Sequence, residues 1–176
     1  MLELAILGFL YDAPLHGYEL RKRITALTGH VRPVAESTLY PAIKRLEQAG
    51  LLERATEPGA VAAPRHVLTL TDDGRRELRR RLAEPVQRDI TDENRWFTVL
   101  AFLRHLDDPG AQAAVLRRRL AFLETPSSFF YEGDRPVRAE ELDDPFRRGI
   151  LTVARATSEA ELAWLHTTID SLDEQA

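Results

Sequence analysis

A chain of 176 residues, 44% hydrophobic and 30% charged, with a net charge of −4 and no cysteine, can build one large domain or two small ones around a modest core. No apolar run nears the roughly 18–20 residues of a membrane span, and the chain starts in a helix with no basic leader. Without cysteine a disulfide, a thiolate nucleophile and a thiolate zinc site are excluded, and the expected location is cytoplasmic.

Leu2, Leu4, Ile6, Leu7, Phe9 and Leu10 make a first helix that is apolar on most sides, so it should be buried. Pro14 and Gly17 break the chain on either side of His16, and Tyr18–Ile24 begins a second helix with Leu20, Ile24 and Leu27 inward. Val31-Arg32-Pro33-Val34 makes the turn into residues 36–49, Glu-Ser-Thr-Leu-Tyr-Pro-Ala-Ile-Lys-Arg-Leu-Glu-Gln-Ala, the most informative stretch. Leu39, Ile43 and Leu46 define a narrow apolar seam there, while Ser37, Thr38, Tyr40, Pro41, Lys44 and Arg45 lie off it. Ser37 or Thr38 can cap the start, Pro41 in a first turn would cost no hydrogen bond, and Gly50 stops the helix. A short exposed helix bearing hydroxyls, a phenol and two cations suits a DNA major groove.

Residues 52–56 and 65–70 read as an antiparallel ribbon around a loop with Pro58, Gly59 and Pro64. Thr71-Asp72-Asp73 offers caps for a further helix carrying Arg75, Arg76, Arg79, Arg80 and Arg81, more simply a solvated face. Three helices, a two-stranded wing and a closing helix describe a winged helix-turn-helix.

The strings LELAILGFL at 2–10, HGYEL at 16–20, STLYPAIKRLEQAGLL at 37–52 and LTDDGRREL at 70–78 resemble the PadR family of bacterial transcriptional regulators. The second half resembles the longer subgroup of that family through Arg147-Arg148-Gly149 and Glu161-Leu162-Ala163-Trp164-Leu165. The resemblance implies a mainly α fold with a small β-wing: an N-terminal winged helix-turn-helix, residues 1–88, and a C-terminal helical dimerisation and effector domain, residues 89–176. It further implies a homodimeric repressor associated with the bacterial nucleoid, bound to double-stranded operator DNA at an inverted repeat and released by a small molecule or stress signal. Tyrosines matching Tyr18 and Tyr40 recur in the family at DNA-backbone contacts; the residues alone also allow them a place in the core.

The charge is uneven. Residues 1–90 hold 14 Lys+Arg against 12 Asp+Glu, and residues 91–176 hold 10 against 16. A net of +2 is a weak footprint for DNA, so affinity must come from a local stripe of Arg21, Lys22, Arg23, Lys44, Arg45 and Arg65. Arg65 and His66 at the wing base could reach a minor groove or simply be solvated.

Beyond residue 91, Asp92 or Asn94 caps a helix with Trp96, Phe97, Val99, Leu100, Phe102, Leu103 and Leu106 over a broad apolar arc. A helix over 110–124 follows, then a loop over 125–136 with Phe129, Phe130 and Tyr131. A long helix runs from Pro145 to about Leu172, with Phe146, Ile150, Leu151, Ala154, Leu162, Leu165, Ile169 and Leu172 toward a core. The aromatic loop suggests a cover for an effector pocket, with Phe130 and Tyr131 facing stacking walls of Trp96, Phe97, Phe102 and Trp164 for a small apolar or aromatic ligand. The plainer alternative is a hydrophobic plug.

Two other functions compete. A winged helix can serve as a protein-interaction module without DNA binding. An enzyme would rest on His166 with Asp170, or on Glu140, Glu141, Asp143 and Asp144. Two ligands are too few for a metal, and the acidic cluster fits a helix start. No catalytic residue, metal site or cofactor is expected.

Overall fold

The computed structural model describes residues 1–27, 34–57, 65–125 and 131–176. The expected turn at Val31, Arg32 and Pro33, the loop with Pro58, Gly59 and Pro64, and the aromatics Phe129 and Phe130 lie outside the described residues, as does the side chain of Arg65. The chain forms two compact units, Met1–Asp107 and Asp108–Ala176.

The first unit runs α1 (Leu2–Asp12), β1 (Leu15–His16), α2 (Gly17–Leu27), α3 (Glu36–Gln48), β2 (Leu52–Glu57), β3 (Arg65–Leu70), α4 (Asp72–Ala83), α5 (Gln87–Thr91), α6 (Glu93–Phe102) and a 3-10 turn at Leu103–Leu106. As its composition requires, α1 is covered on most sides, with Leu4, Ala5, Ile6, Leu7 and Leu10 buried. Leu20 and Ile24 of α2 and Leu39, Ala42, Ile43 and Leu46 of α3 are buried too, beside Leu78 and Leu82 of α4. Each buried Leu or Ile side chain among these contributes about 1.5–3 kcal/mol by leaving water.

β2 and β3 form the antiparallel ribbon in the register Leu52↔Leu70 through Glu57↔Arg65. A third strand, absent from the sequence reading, completes the sheet in the order β1-β3-β2 through the pairs Leu15↔Leu68 and His16↔Val67. This is a winged helix-turn-helix, and the whole described chain is mainly helical with small sheets.

Three local expectations change. α3 begins at Glu36 after Ala35, whose carbonyl accepts from Thr38 and Leu39, so Ser37 and Thr38 lie inside the first turn and cap nothing. Pro41 is then an interior residue rather than a first-turn one, and its missing N–H forfeits the bond to the Ser37 carbonyl. That gap falls on the exposed face, where water can supply the lost donor. The arginines of α4 are not simply solvated. Arg75 donates to the Tyr11 carbonyl (3.2 Å) and Arg79 to the Tyr11 hydroxyl (2.6 Å), with Arg79 also reaching the His105 carbonyl.

The largest correction is the domain boundary, expected between residues 88 and 89. α5 and α6 fold with the first unit, burying Ile90, Trp96, Val99 and Phe102, and the division comes after Asp107. The physical cause is α1: a helix apolar on most sides needs a further cover. Gly8 leaves the space for it, since a Cβ there would stand 2.4 Å from the Phe102 ring. Phe102 also meets Phe9 edge-to-face at 5.0 Å.

The second unit runs α7 (Pro109–Glu124), a hairpin of β4 (Tyr131–Glu132) and β5 (Arg135–Pro136), a 3-10 turn at Ala139–Glu141, and α8 (Pro145–Asp173). The expected loop over 125–136 therefore contains a small hairpin. α7 and α8 are antiparallel, joined by the buried fork of Arg119 on Glu161 (2.8 and 2.9 Å) and by the Arg117–Asp173 pair. Leu151, Leu165 and Ile169 of α8 are buried as expected, but Phe146 is 81% exposed and Ile150 57% exposed. They belong instead to an outer stripe.

Candidate nucleic-acid interface

α3 presents two unlike sides because its four buried residues fall within one arc. Ser37, Pro41 and Lys44 occupy the middle of the opposite arc, with Tyr40 on one flank and Thr38 and Arg45 on the other; all six are exposed. Among the described residues Lys44 sits in no ion pair, nor does exposed Lys22 of α2.

Tyr40 is seated by a neighbour without a side chain. A Cβ at Gly17 would lie 3.3 Å from the Tyr40 ring and 3.6 Å from its hydroxyl, so the phenol rests against the first turn of α2. Tyr40 remains 46% exposed and Tyr18 beside it 73% exposed, which removes the reading of either phenol as a core residue. Between α2, α3 and the wing lies a cleft of about 510 Å³ lined by His16, Tyr18, Tyr40, Arg54 and His66. Nδ1 of His16 stands 3.2 Å from the His66 carbonyl, which ties β1 to the wing strand β3. Arg54 is held by a two-pronged bond to Glu47 at 2.7 and 2.8 Å.

His16 and Arg54 are additions that the sequence reading missed. Only the pairing of β1 with β3 brings His16 to the wing, and a two-residue strand has no periodicity to detect. Two predicted cations turn elsewhere. Arg21 is paired with Glu36, and Arg45 reaches Glu3 at 3.1 Å, a carboxylate it shares with Arg81 at 3.3 Å. His66 is exposed at the end of the wing, and Arg65 is placed only by its strand pairing with Glu57.

The predicted effector set is divided between the two units. Trp96 and Phe102 are core residues of the first unit, Phe97 is half-exposed, and Tyr131 and Trp164 belong to the second unit; Phe130 lies outside the described residues. Three of the residues that might have argued for catalysis have structural partners. His166 stands 3.6 Å from Glu124, Glu141 pairs with Arg135, and Asp144 caps α8 through the Phe146 N–H. Among the described residues no three metal-ligating side chains converge, and no helix is long and apolar enough to cross a membrane.

A winged helix-turn-helix whose third helix faces outward with hydroxyl, phenol and ammonium groups defines a class of fold, the winged-helix proteins. Residues 6–80 match the family model described as the transcriptional regulator PadR-like family. The chain is 30% identical over 95 residues to the negative transcriptional regulator PadR of Bacillus subtilis, covering 53% of this chain and 52% of that one. It thus spans about half the length of the curated relative it matches. Among solved structures, Bacillus subtilis PadR in complex with operator DNA aligns over 97% of this chain and 98% of its own at 23% identity and a TM-score of 0.45. The same protein with p-coumaric acid aligns over 98% of each chain at 22% identity and a TM-score of 0.42. A transcriptional regulator from Clostridium thermocellum aligns over 45% of this chain and 76% of its own, at 26% identity and a TM-score of 0.42.

Proposed function

We propose that this chain is a sequence-specific repressor which acts in the cytoplasm as a homodimer on an inverted-repeat operator and is released by a small molecule. It is a regulator and not a catalyst. One observation carries the reading: Ser37, Pro41 and Lys44 lie together on the exposed arc of α3, flanked by Tyr40 and bordered by the wing cleft. Ser37 and Lys44 offer donors to base edges, while Tyr18, Tyr40 and Lys22 grip phosphates. Arg45 and Arg21 contribute less than their charge suggests, because Glu3 and Glu36 already engage them.

Dimerisation is supported by the outer stripe of α8. Phe146, Ile150, Val153, Thr157, Ala160 and Trp164 recur at alternating spacings of four and three, the pattern of a helix seam that packs on another helix. Val153 is 67% exposed and Trp164 42% exposed, a run of apolar area that a monomer would leave in water. Two-fold pairing would present two copies of α3 to successive major-groove faces about 34 Å apart.

The test is a mobility-shift titration of full-length protein against the DNA upstream of its own gene. Wild type should be retained, and a Tyr40→Ala, Lys44→Ala double variant should lose most retention. Equal retention by both would remove α3 from the interface. Failure of the wild type to bind at any salt concentration would favour a protein-interaction module.

A further inference from the structure

The cleft between α2, α3 and the wing is poorly charged for the phosphates it faces. The ionisable groups lining it are His16, Tyr18 and Glu19 at the start of α2, Tyr40 of α3, Arg54 of β2 and His66 of β3. The Arg54 guanidinium is occupied by Glu47 through bonds of 2.7 and 2.8 Å. Glu19 accepts the His16 backbone N–H at 3.4 Å and enters no ion pair among the described residues. A phosphate entering this space therefore meets one uncompensated carboxylate, while the one arginine of the lining is already engaged.

His16 can correct the balance, and the fold dictates the form in which it does so. Pairing of β1 with β3 through His16↔Val67 brings the ring against the wing, where Nδ1 lies 3.2 Å from the His66 carbonyl oxygen. A carbonyl only accepts, so Nδ1 carries the hydrogen. In the neutral ring the other nitrogen, Nε2, is then a bare acceptor. Phosphate oxygens are acceptors too, so a neutral His16 and a phosphate would present lone pairs to each other with no hydrogen between them. Nε2 meets no partner among the described residues. A proton there turns the same edge of the ring into a charge-assisted donor and leaves the bond at Nδ1 intact.

We propose that His16 is a proton-coupled phosphate contact: Nε2 takes a proton from solvent as a backbone phosphate of the DNA enters the cleft beside Tyr18 and Tyr40. The inference rests on the DNA-binding reading above and adds to it an affinity that rises as pH falls. Lysine and arginine side chains keep their charge across the neutral range, so contacts made by them set the affinity without making it depend on pH. His66 lines the same cleft and its charge would act in the same direction, so it requires a variant of its own.

Fluorescence-anisotropy titrations of the full chain with the DNA upstream of its own gene, at about pH 8 and about pH 6, test the coupling. One coupled proton allows up to about ten-fold in affinity per pH unit, and wild type should bind at least several-fold tighter at the lower value. Acid loosening of the first unit through buried His105 would weaken binding instead, so it cannot mimic that gain. His16→Gln retains a side-chain donor but cannot titrate, and its affinity should vary far less between the two conditions. His66→Gln should keep most of the wild-type dependence. Calorimetry of wild type with the same duplex in MOPS and in Tris, at one pH, should give binding heats that differ by the ionisation heat of the proton drawn from the buffer. Equal heats in the two buffers would overturn the proposal whatever the variants do. An undiminished pH dependence in His16→Gln, or its loss in His66→Gln alone, would overturn it as well; in each case DNA binding itself would stand. A wild type that binds no DNA at either pH would reject the DNA-binding reading, and this inference with it.

Discussion

Lys44 and Arg21 show how single side chains of one sign differ in what they can offer DNA. Lys44 enters no ion pair among the described residues, so a phosphate or base edge would be its first partner, whereas Arg21 must leave Glu36 to make any such contact. Lys44→Ala should therefore lower operator affinity, and if Lys44 neutralises a phosphate it should reduce the salt slope by about 0.9. Glu36→Gln should act oppositely, steepening the slope and tightening binding, because it removes a competing anion. Titrations of operator binding from low to moderate salt check both; a Glu36→Gln variant that binds more weakly would show that the Arg21–Glu36 pair positions α3 instead of masking a cation.

His105 carries a pH consequence near neutrality. Burial between Tyr11 and Phe102 pushes its pKa below the ordinary histidine value, while Asp12, 3.8 Å away, pulls the other way. The folded state thus prefers the neutral ring. Near neutrality both states are neutral and the stabilisation is complete; as pH falls below about 6.5 the unfolded chain gains a proton first, and stability is lost. Thermal melts from pH 7.5 down to 5.5 should show the first unit weakening, with a shallower slope in His105→Gln. An identical slope in that variant would assign the acid sensitivity to other groups.

At the scale of elements, the contact between α1 and α6 is what enlarges the first unit beyond a bare winged helix. Its narrowest point is Gly8 under the Phe102 ring, where a methyl would stand at 2.4 Å. Helix propensity alone would make Gly8→Ala favourable by up to about 1 kcal/mol. Overpacking costs typically about 1–3 kcal/mol and should win, because the ring is also held by Phe9 and His105. Urea denaturation should show a net loss; a stabilised Gly8→Ala variant would mean that α6 is free to slide. The apolar periodicities of α1, α3, α4 and α7 and the two wing strands were readable because each repeats over several residues. β1 and the β4–β5 hairpin were not, since strands of two residues are defined only by their pairing partners.

For the whole molecule, the controlling feature is the outer stripe of α8. Ile150→Glu would put a charge in the middle of that stripe, where it costs a monomer little but a packed seam a great deal. Light scattering on a sizing column should give wild type at twice the 20.0 kDa of one chain and the variant near that single mass. Operator affinity should fall with it, since one α3 reads only half of an inverted repeat. A variant that remained at double mass would place the dimer contact elsewhere.

Sequence by itself determined the winged helix, the outward residues of α3 and the resemblance of the first half to a known family, because these depend on local periodicity and on short strings with fixed spacing. Tertiary structure decided the rest: that Arg45 and Arg21 are already engaged by Glu3 and Glu36, that Trp96 and Phe102 are core residues rather than ligand walls, and that Phe146 and Ile150 face outward. A pattern of apolar and charged residues states which side chains need a partner. Only the folded chain determines which partner is within reach.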